Sequence, residues 1–251
     1  MKYYFLEVTF LMQFIVCESY EEMSRRGADI IAAIVKEKPS ALLGLATGST
    51  PVGMYRELIR RYAEGELDFS AVSSYNLDEY YPISPENEQS YRYFMNANLF
   101  DHINIDKNNT HVPNGAAEDA EEACRAYDEA YAATGGADVQ VLGIGQNGHI
   151  AFNEPDEALI VGTHVTGLTE DTIKANSRFF ASIDEVPTRA LTMGMGSIMM
   201  AKKIILLANG KNKHAAVSAL LDNKITTAIP ATLLKLHPDV IILCDKEAYH
   251  G

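Results

Sequence analysis

The chain has 251 residues, 47% of them hydrophobic, and carries a formal net charge of −13. That length suffices for one sizeable core, and we predict a single domain over residues 1–251. The acidic balance argues against binding to nucleic acid or to anionic membranes, because both attract basic proteins.

The start of the chain, MKYYFLEVTFLMQFIVC, is the only stretch that resembles a targeting signal. Glu7 and Gln13 interrupt its apolar run, no small-residue cleavage site follows, and the run is too short to span a bilayer. We therefore expect a cytoplasmic protein whose first strand starts near Met12, with residues 1–11 as a dispensable extension. The three widely spaced cysteines fit reduced thiols in that compartment.

Helical patterns alternate along the chain with short, continuous apolar runs. Ser19 and Glu22 form a capping-box pattern, which predicts the start of a helix. The apolar runs are 41–46, 72–77, 138–145, 203–209 and 239–244, and further helical patterns cover 116–133 and 211–222. Continuous apolar runs are typical of strands buried on both faces of a parallel sheet. The sequence thus predicts an α/β fold with a doubly wound, mainly parallel open sheet and helices on both faces.

Ligands of such sheets bind beyond the carboxyl ends of the strands. The first of these segments reads ATGSTP over residues 46–51. Gly48 permits close backbone approach, Ser49 or Thr50 is suited to cap the next helix, and Pro51 suits its first position. A helix N-terminus in this setting offers backbone amides to an anion, although an ordinary capped turn is an alternative. A nucleoside triphosphate is disfavoured, because the Gly-Lys-Ser/Thr ending of a P-loop is missing.

The second segment, NLDEYY at residues 76–81, ends the run 72–77. It contains two adjacent carboxylates, Asp78 and Glu79, and their position at a strand's carboxyl end suits proton transfer. A solvated turn or a helix cap is the alternative interpretation.

The third segment, GIGQNGHIAFNEP at residues 143–155, contains a formal G-x-G-x-x-G. The dinucleotide fingerprint should open a helix, but Pro155 would interrupt one here. His149 and Glu154 instead suggest an imidazole held by a carboxylate partner, with a purely structural role as the alternative. One His and one Glu fall short of a metal-ligand set.

The fourth group consists of two cations, Arg178 and Lys213. Each is interpretable as a plain surface charge. Lys213 also follows a predicted strand and lies near a helix start, where a phosphate would be favoured.

Together these segments resemble the glucosamine-6-phosphate deaminase family, whose fold is shared with ribose-5-phosphate isomerases and 6-phosphogluconolactonases. The matching stretches are 45–51, 76–81, 143–155, 175–180 and 236–245, in the family's order. The resemblance implies conversion of glucosamine 6-phosphate to fructose 6-phosphate and ammonia, without a metal or organic cofactor. It makes Asp78 the proton-transfer residue and His149 and Glu154 the ring-opening pair. The implied phosphate-binding residues are Thr47, Gly48, Ser49, Thr50, Arg178 and Lys213.

One residue departs from the pattern of many family members, which have Asp where this chain has Asn147. An amide supplies a hydrogen bond without the charge that would stabilise an imidazolium, so we expect the pH optimum to be affected more than the activity. The rival functions are a 6-phosphogluconolactonase, a non-catalytic sugar-phosphate sensor and an NAD-linked dehydrogenase.

Larger members of the family are hexamers activated by N-acetylglucosamine 6-phosphate, through basic residues shortly after the Asn-Glu-Pro motif. Residues 155–172 of this chain contain no Lys or Arg. A phosphate dianion would find no cation in this stretch. We therefore expect hyperbolic kinetics and a monomer or small homo-oligomer.

Overall fold

The computed structural model describes residues 11–168, 173, 182 and 186–251. Its strands are β1 (Leu11–Cys17), β2 (Leu42–Leu45), β3 (Ser73–Asn76), β4 (Asp78–Tyr81), β5 (Thr110–His111), β6 (Val139–Gly143), β7 (His164–Gly167), β8 (Arg189–Thr192), β9 (Ile204–Ala208) and β10 (Asp239–Asp245). Its helices are α1 (Tyr20–Glu37), α2 (Val52–Ala63), α3 (Tyr91–Asn98), α4 (Ala120–Ala133), α5 (Met195–Met199), α6 (His214–Leu221) and α7 (Lys246–His250). Short 3-10 helices cover Phe100–His102, Lys107–Asn109, Lys211–Lys213 and Pro230–Leu236.

The larger sheet has seven strands in the order β1-β10-β9-β6-β2-β3-β5, and neighbouring strands pair in parallel. Four of the predicted apolar runs contain one of its strands and the fifth, 239–244, covers all but the last residue of β10; β2 and β9 are buried along their whole length. Burial on both faces explains why these strands read as continuous apolar runs. The predicted mainly parallel α/β fold is confirmed.

A second sheet of three antiparallel strands, β4-β8-β7, was not predicted. Its strands have four residues each and read DEYY, RALT and HVTG. Such short and partly polar segments carry too little periodicity to be recognised as strands. The chain passes from β3 into this sheet through Leu77 alone, so the segment 76–81 belongs to both sheets.

The predicted helix starts are confirmed in part. Ser19 caps α1 by accepting a hydrogen bond from the Glu22 amide at 3.3 Å, and Met23 and Ile31 of this helix are buried. The Glu22 carboxylate accepts a hydrogen bond from the Glu18 amide at 2.8 Å. In a standard capping box the donor would be the amide of the capping residue itself, one position later. Helix α4 begins at Ala120, four residues after the predicted start at 116 (120 − 116 = 4), because Asp119 supplies its cap.

The order of the strands fixes where a ligand site is expected. The connection from β2 leads to β3 on one side, whereas the connection from β6 leads towards β9 on the other side. The crevice between the carboxyl ends of β2 and β6 is therefore the topological switch point, where open α/β sheets bind their ligands. No helix in the described part of the chain is long and apolar enough to cross a membrane.

Candidate active site

Four neighbouring strands deliver the predicted site segments to one edge of the sheet. In the order β9-β6-β2-β3, these strands are followed by Lys213, the loop 144–154, the loop 46–51 and Asp78. Parallel strands end at the same edge, about 5 Å from their neighbours. Predicted residues that lie far apart in sequence thus follow neighbouring strands on either side of the switch point. Arg178 lies outside the described residues.

Asp78 is the first residue of β4, and only 6% of it is exposed. Its Oδ1 atom is buried and accepts no hydrogen bond from the described residues. Burial, together with the charge of Glu79, raises the pKa of Asp78 to about 8, while the Thr47 side chain opposes the shift as a hydrogen-bond partner. A carboxylate that is hard to keep ionised and has a free oxygen is suited to accept a proton from a ligand.

Glu79, the adjacent carboxylate, has a different environment. Its Oε1 accepts hydrogen bonds from the amides of Tyr80 and Tyr91, at 2.9 and 2.8 Å, and its Oε2 accepts one from the Arg92 amide at 2.9 Å. Glu79 therefore caps the start of α3 from a distant part of the chain, which the sequence alone did not reveal. Burial still raises its pKa to about 7. Of the two carboxylates, Asp78 is the one with an oxygen left for substrate.

His149 and Glu154 form the predicted pair. Nδ1 of His149 lies 3.0 Å from Oε1 of Glu154, within ion-pair distance, although the two atoms are not aligned for a regular hydrogen bond. Asn147 joins them, since its Nδ2 donates to Oε2 of Glu154 at 2.7 Å and its Oδ1 accepts from the His149 amide at 3.2 Å. The amide thus orients both members of the pair without adding a charge.

The glycines of the segment 143–148 place His149 rather than open a helix. A Cβ atom at Gly145 would overlap the His149 imidazole ring, so only glycine allows the ring to lie against this backbone. Gly148 has a φ of 83°, a left-handed conformation that favours glycine, and its carbonyl accepts from the Ala231 amide at 2.9 Å. No helix follows in the described residues up to 168, which agrees with our rejection of the dinucleotide fingerprint.

The loop around His149 is joined to the strand that carries Asp78. Thr192, in β8, pairs with Asp78 in β4, and its Oγ1 accepts a hydrogen bond from the Phe152 amide at 3.1 Å. Asn153 adds a second link, because its Nδ2 donates to the Met193 carbonyl at 2.8 Å. Both contacts are buried. Thr192 was missed in the sequence because no motif marks a residue that acts through the pairing of two distant strands.

The loop 46–51 makes the predicted strand-to-helix turn, but the predicted cap is wrong. Helix α2 starts at Val52, and Pro51 occupies the capping position without any side-chain hydrogen bond. The hydroxyls of Ser49 and Thr50 have no hydrogen-bond partner within residues 11–168 or the other described ranges. Both hydroxyls therefore remain available to an anion.

Lys213 lies at the start of α6, half-buried. Burial lowers the pKa of its amine, and no carboxylate in the described part of the chain pairs with it. A partly desolvated ammonium without an anionic partner favours an anionic ligand. No group of three or more His, Cys, Asp or Glu side chains within the described ranges is arranged to hold a metal ion.

Comparisons with known proteins identify the relatives of this chain. Residues 18–242 match a family model described as glucosamine-6-phosphate isomerases/6-phosphogluconolactonase. The chain is 61% identical over 237 residues to a glucosamine-6-phosphate deaminase of Clostridium perfringens, a match that covers 94% of this chain and 98% of that protein. It is 59% identical to a protein of the same name from Thermoanaerobacter pseudethanolicus, with 94% of each covered.

Two solved structures show the same architecture. A monomeric glucosamine-6-phosphate deaminase has a TM-score of 0.92 and 47% identity, covering 94% of this chain and 98% of its own. A 6-phosphogluconolactonase from Trypanosoma brucei has a TM-score of 0.74 and 22% identity, covering 96% of this chain and 98% of its own. At that lower identity the second likeness concerns the fold alone.

Proposed function

The chain belongs to the glucosamine-6-phosphate isomerase/6-phosphogluconolactonase family, and within it we propose that the protein is a glucosamine-6-phosphate deaminase. It converts glucosamine 6-phosphate and water to fructose 6-phosphate and ammonia. Relatives at about 60% identity over nearly the whole chain bear the name of this activity, which supports the choice over the lactonase branch.

Binding begins with the phosphate of the cyclic sugar. The unpartnered hydroxyls of Ser49 and Thr50, the backbone amides of the turn before α2 and the Lys213 ammonium form its binding site, and Arg178 is a further proposed ligand. His149 then moves the proton that opens the pyranose ring, with Glu154 as its partner, and the 3.0 Å separation of the pair supports this role.

The second stage is proton transfer next to the new carbonyl. Asp78 takes the proton from C2 of the open chain, which leaves an enolamine, and a proton is then delivered to C1. Water attacks the resulting C2 iminium, and ammonia leaves. None of these steps requires a metal or an organic cofactor, and each positioned acid or base contributes roughly 10²–10⁴-fold in rate.

The observation that carries the proposal is the buried, unpartnered Oδ1 of Asp78, on a carboxyl whose pKa is raised to about 8. A base with a raised pKa favours abstraction of a proton from C2, whereas hydrolysis of a lactone needs no base at C2. The free oxygen of Asp78 therefore supports the deaminase over its nearest rival.

The test is a direct product assay. The protein is incubated with glucosamine 6-phosphate, and ammonia and fructose 6-phosphate are measured in the same samples. We expect both products in equal amounts, and no hydrolysis of 6-phosphogluconolactone above the uncatalysed rate. Lactone hydrolysis without ammonia release would assign the chain to the other branch, and nicotinamide binding by fluorescence would point to a dehydrogenase.

We also propose that the protein is a monomer or a small homo-oligomer in the cytoplasm. The similar structure of a monomeric deaminase and the absence of Lys and Arg from residues 155–172 support the first part. Light scattering coupled to size-exclusion chromatography tests it, and a hexamer would contradict it.

A further inference from the structure

The start of α2 is not capped by a side chain of its own capping residue. Proline at the capping position has no side-chain acceptor for the first amides of the helix, and Pro51 makes no capping bond. The loop 46–51 also has little regular structure to hold it, because β2 ends at Leu45 and α2 begins at Val52. Another part of the chain must fix this turn if it is to bind a phosphate in a defined geometry.

Tyr20, the first residue of α1, supplies the missing contacts. Its hydroxyl accepts a hydrogen bond from the Gly53 amide at 2.8 Å and donates one to the Ser49 carbonyl at 3.1 Å. One oxygen atom thus acts as the cap of α2 and at the same time ties down the peptide that precedes Thr50. The two contacts lie on either side of the junction between the loop and the helix.

The close approach of α1 and α2 makes these contacts possible. A Cβ atom at Gly53 would overlap Oγ of Ser24 and the ring of Tyr20. The glycine therefore gives the phenol ring the room to reach the Gly53 amide. The hydroxyls of Ser49 and Thr50, which Tyr20 does not use, stay without a partner in the described ranges.

We propose that Tyr20 is a positioning residue for the substrate phosphate: its hydroxyl holds the turn 49–53 in the geometry that binds the anion. This inference rests on the proposed sugar-phosphate function. The Tyr20 hydroxyl bonds to the turn and to α2 and not to Asp78 or His149, so its loss affects affinity and leaves the chemical step unchanged. The ligand of the turn is a phosphate monoester, and Tyr20 acts on its binding through the turn.

The experiment compares Tyr20→Phe with Tyr131→Phe. Tyr131 is buried, and its hydroxyl accepts from the Ala137 amide at 3.0 Å, just before β6 and thus at the opposite edge of the sheet. Each variant loses one hydroxyl that bonds to the backbone, so both are expected to lose stability. Only Tyr20→Phe should raise KM for glucosamine 6-phosphate, by roughly tenfold, with kcat within about twofold of wild type.

Inorganic phosphate serves as a second probe, as a competitive inhibitor and by calorimetry. Its affinity should fall in Tyr20→Phe by about the same factor as 1/KM and stay unchanged in Tyr131→Phe. Unchanged phosphate affinity in Tyr20→Phe, a loss of kcat instead of affinity, or equal effects in both variants would overturn the inference. Absence of turnover in the wild type would refute the proposed function instead, and the calorimetric comparison would still decide the role of Tyr20.

Discussion

The two sides of the candidate site differ in how the protein satisfies their polar groups. On the reaction side, Asn147 bonds to both His149 and Glu154, and Thr192 links their loop to the strand of Asp78. On the phosphate side, the hydroxyls of Ser49 and Thr50 and the amine of Lys213 have no partner among the described residues.

This difference indicates which groups of the site depend on the substrate for their hydrogen-bond partners. Protein hydrogen bonds hold the loop of His149 and Glu154 in place, as preorganised catalysis requires, and leave Oδ1 of Asp78 free for the substrate. The phosphate side leaves its donors unpaired, so the ligand supplies the missing acceptor. Changes on the reaction side are therefore expected to lower kcat, and changes on the phosphate side to raise KM.

The largest effect is expected for Asp78→Asn, which removes the proposed base with little change in volume. We predict that kcat falls by about 10²–10⁴-fold while the affinity for substrate stays near that of wild type. Asp138→Asn is the matched control, because Asp138 pairs with Lys38 and Lys202 just before β6, at the opposite edge. If Asp78→Asn retains more than about a tenth of wild-type kcat, Asp78 is excluded as the base.

The same substitution has an expected effect on stability. The pKa of Asp78 is raised in the folded protein, so ionisation of this carboxyl destabilises the fold increasingly as pH rises from about 4 to about 8. Asp78→Asn removes that penalty. Thermal unfolding should therefore show a Tm above that of wild type at pH 8.5 and a smaller difference at pH 5, which separates lost catalysis from lost folding.

The pH dependence of kcat/KM is the next largest effect. A base works only when ionised, so kcat/KM should rise by roughly tenfold per pH unit until about pH 8. Glu79→Gln removes the neighbouring charge and should shift this rise in kcat/KM to lower pH, whereas a rise caused by titration of the substrate would stay at the same pH. An unshifted rise in a correctly folded Glu79→Gln would show that another group controls the pH dependence.

Glu154→Gln tests the ring-opening pair and should have a smaller effect than loss of the base. We expect kcat to fall by about 10–10²-fold, because His149 loses its anionic partner but keeps its position against Gly145. Glu157→Gln, at an exposed position shortly after this segment, should match wild type. Equal activities of the two variants would leave the pair a structural role only.

On the phosphate side, Lys213→Ala should raise KM roughly tenfold or more and change kcat little, since it removes a charge-assisted contact. Lys203→Ala is the control. Both lysines flank β9, but Lys203 pairs with Asp239 at the amino end of the strand. Similar KM values for the two variants would show that Lys213 does not contact the phosphate.

The last prediction is that an added effector has no effect on the rate. N-acetylglucosamine 6-phosphate should not activate the enzyme, and the rate curve without it should be hyperbolic, because residues 155–172 carry no Lys or Arg. Initial rates over a range of substrate concentrations, with and without this effector, provide the measurement. A sigmoidal curve that the effector converts to a hyperbola would reveal a second site.

Much of the larger sheet could be predicted from the sequence, because buried parallel strands leave continuous apolar runs. The same alignment of strand ends brought Asp78, His149 and Lys213 into view as candidates. The small antiparallel sheet gave no such signal. The roles of Glu79 and Tyr20 also escaped prediction, since each depends on contacts with backbone amides of another element, and neither spacing nor residue type indicates such contacts.

The passage from β3 to β4 through the single residue Leu77 has a consequence for how this family of genes can diverge. Leu77 is buried, and its carbonyl accepts a hydrogen bond from the Met193 amide at 2.7 Å, so this one-residue connection is held in place. Neighbouring residues of a strand face opposite sides, so one codon gained here would move Asp78 into the place of Glu79, and one codon lost would move Glu79 into the place of Asp78. In either case one of the two carboxylates would lie where the other belongs. Point substitutions around this junction can be sampled one at a time, whereas insertions and deletions are expected to be eliminated by selection.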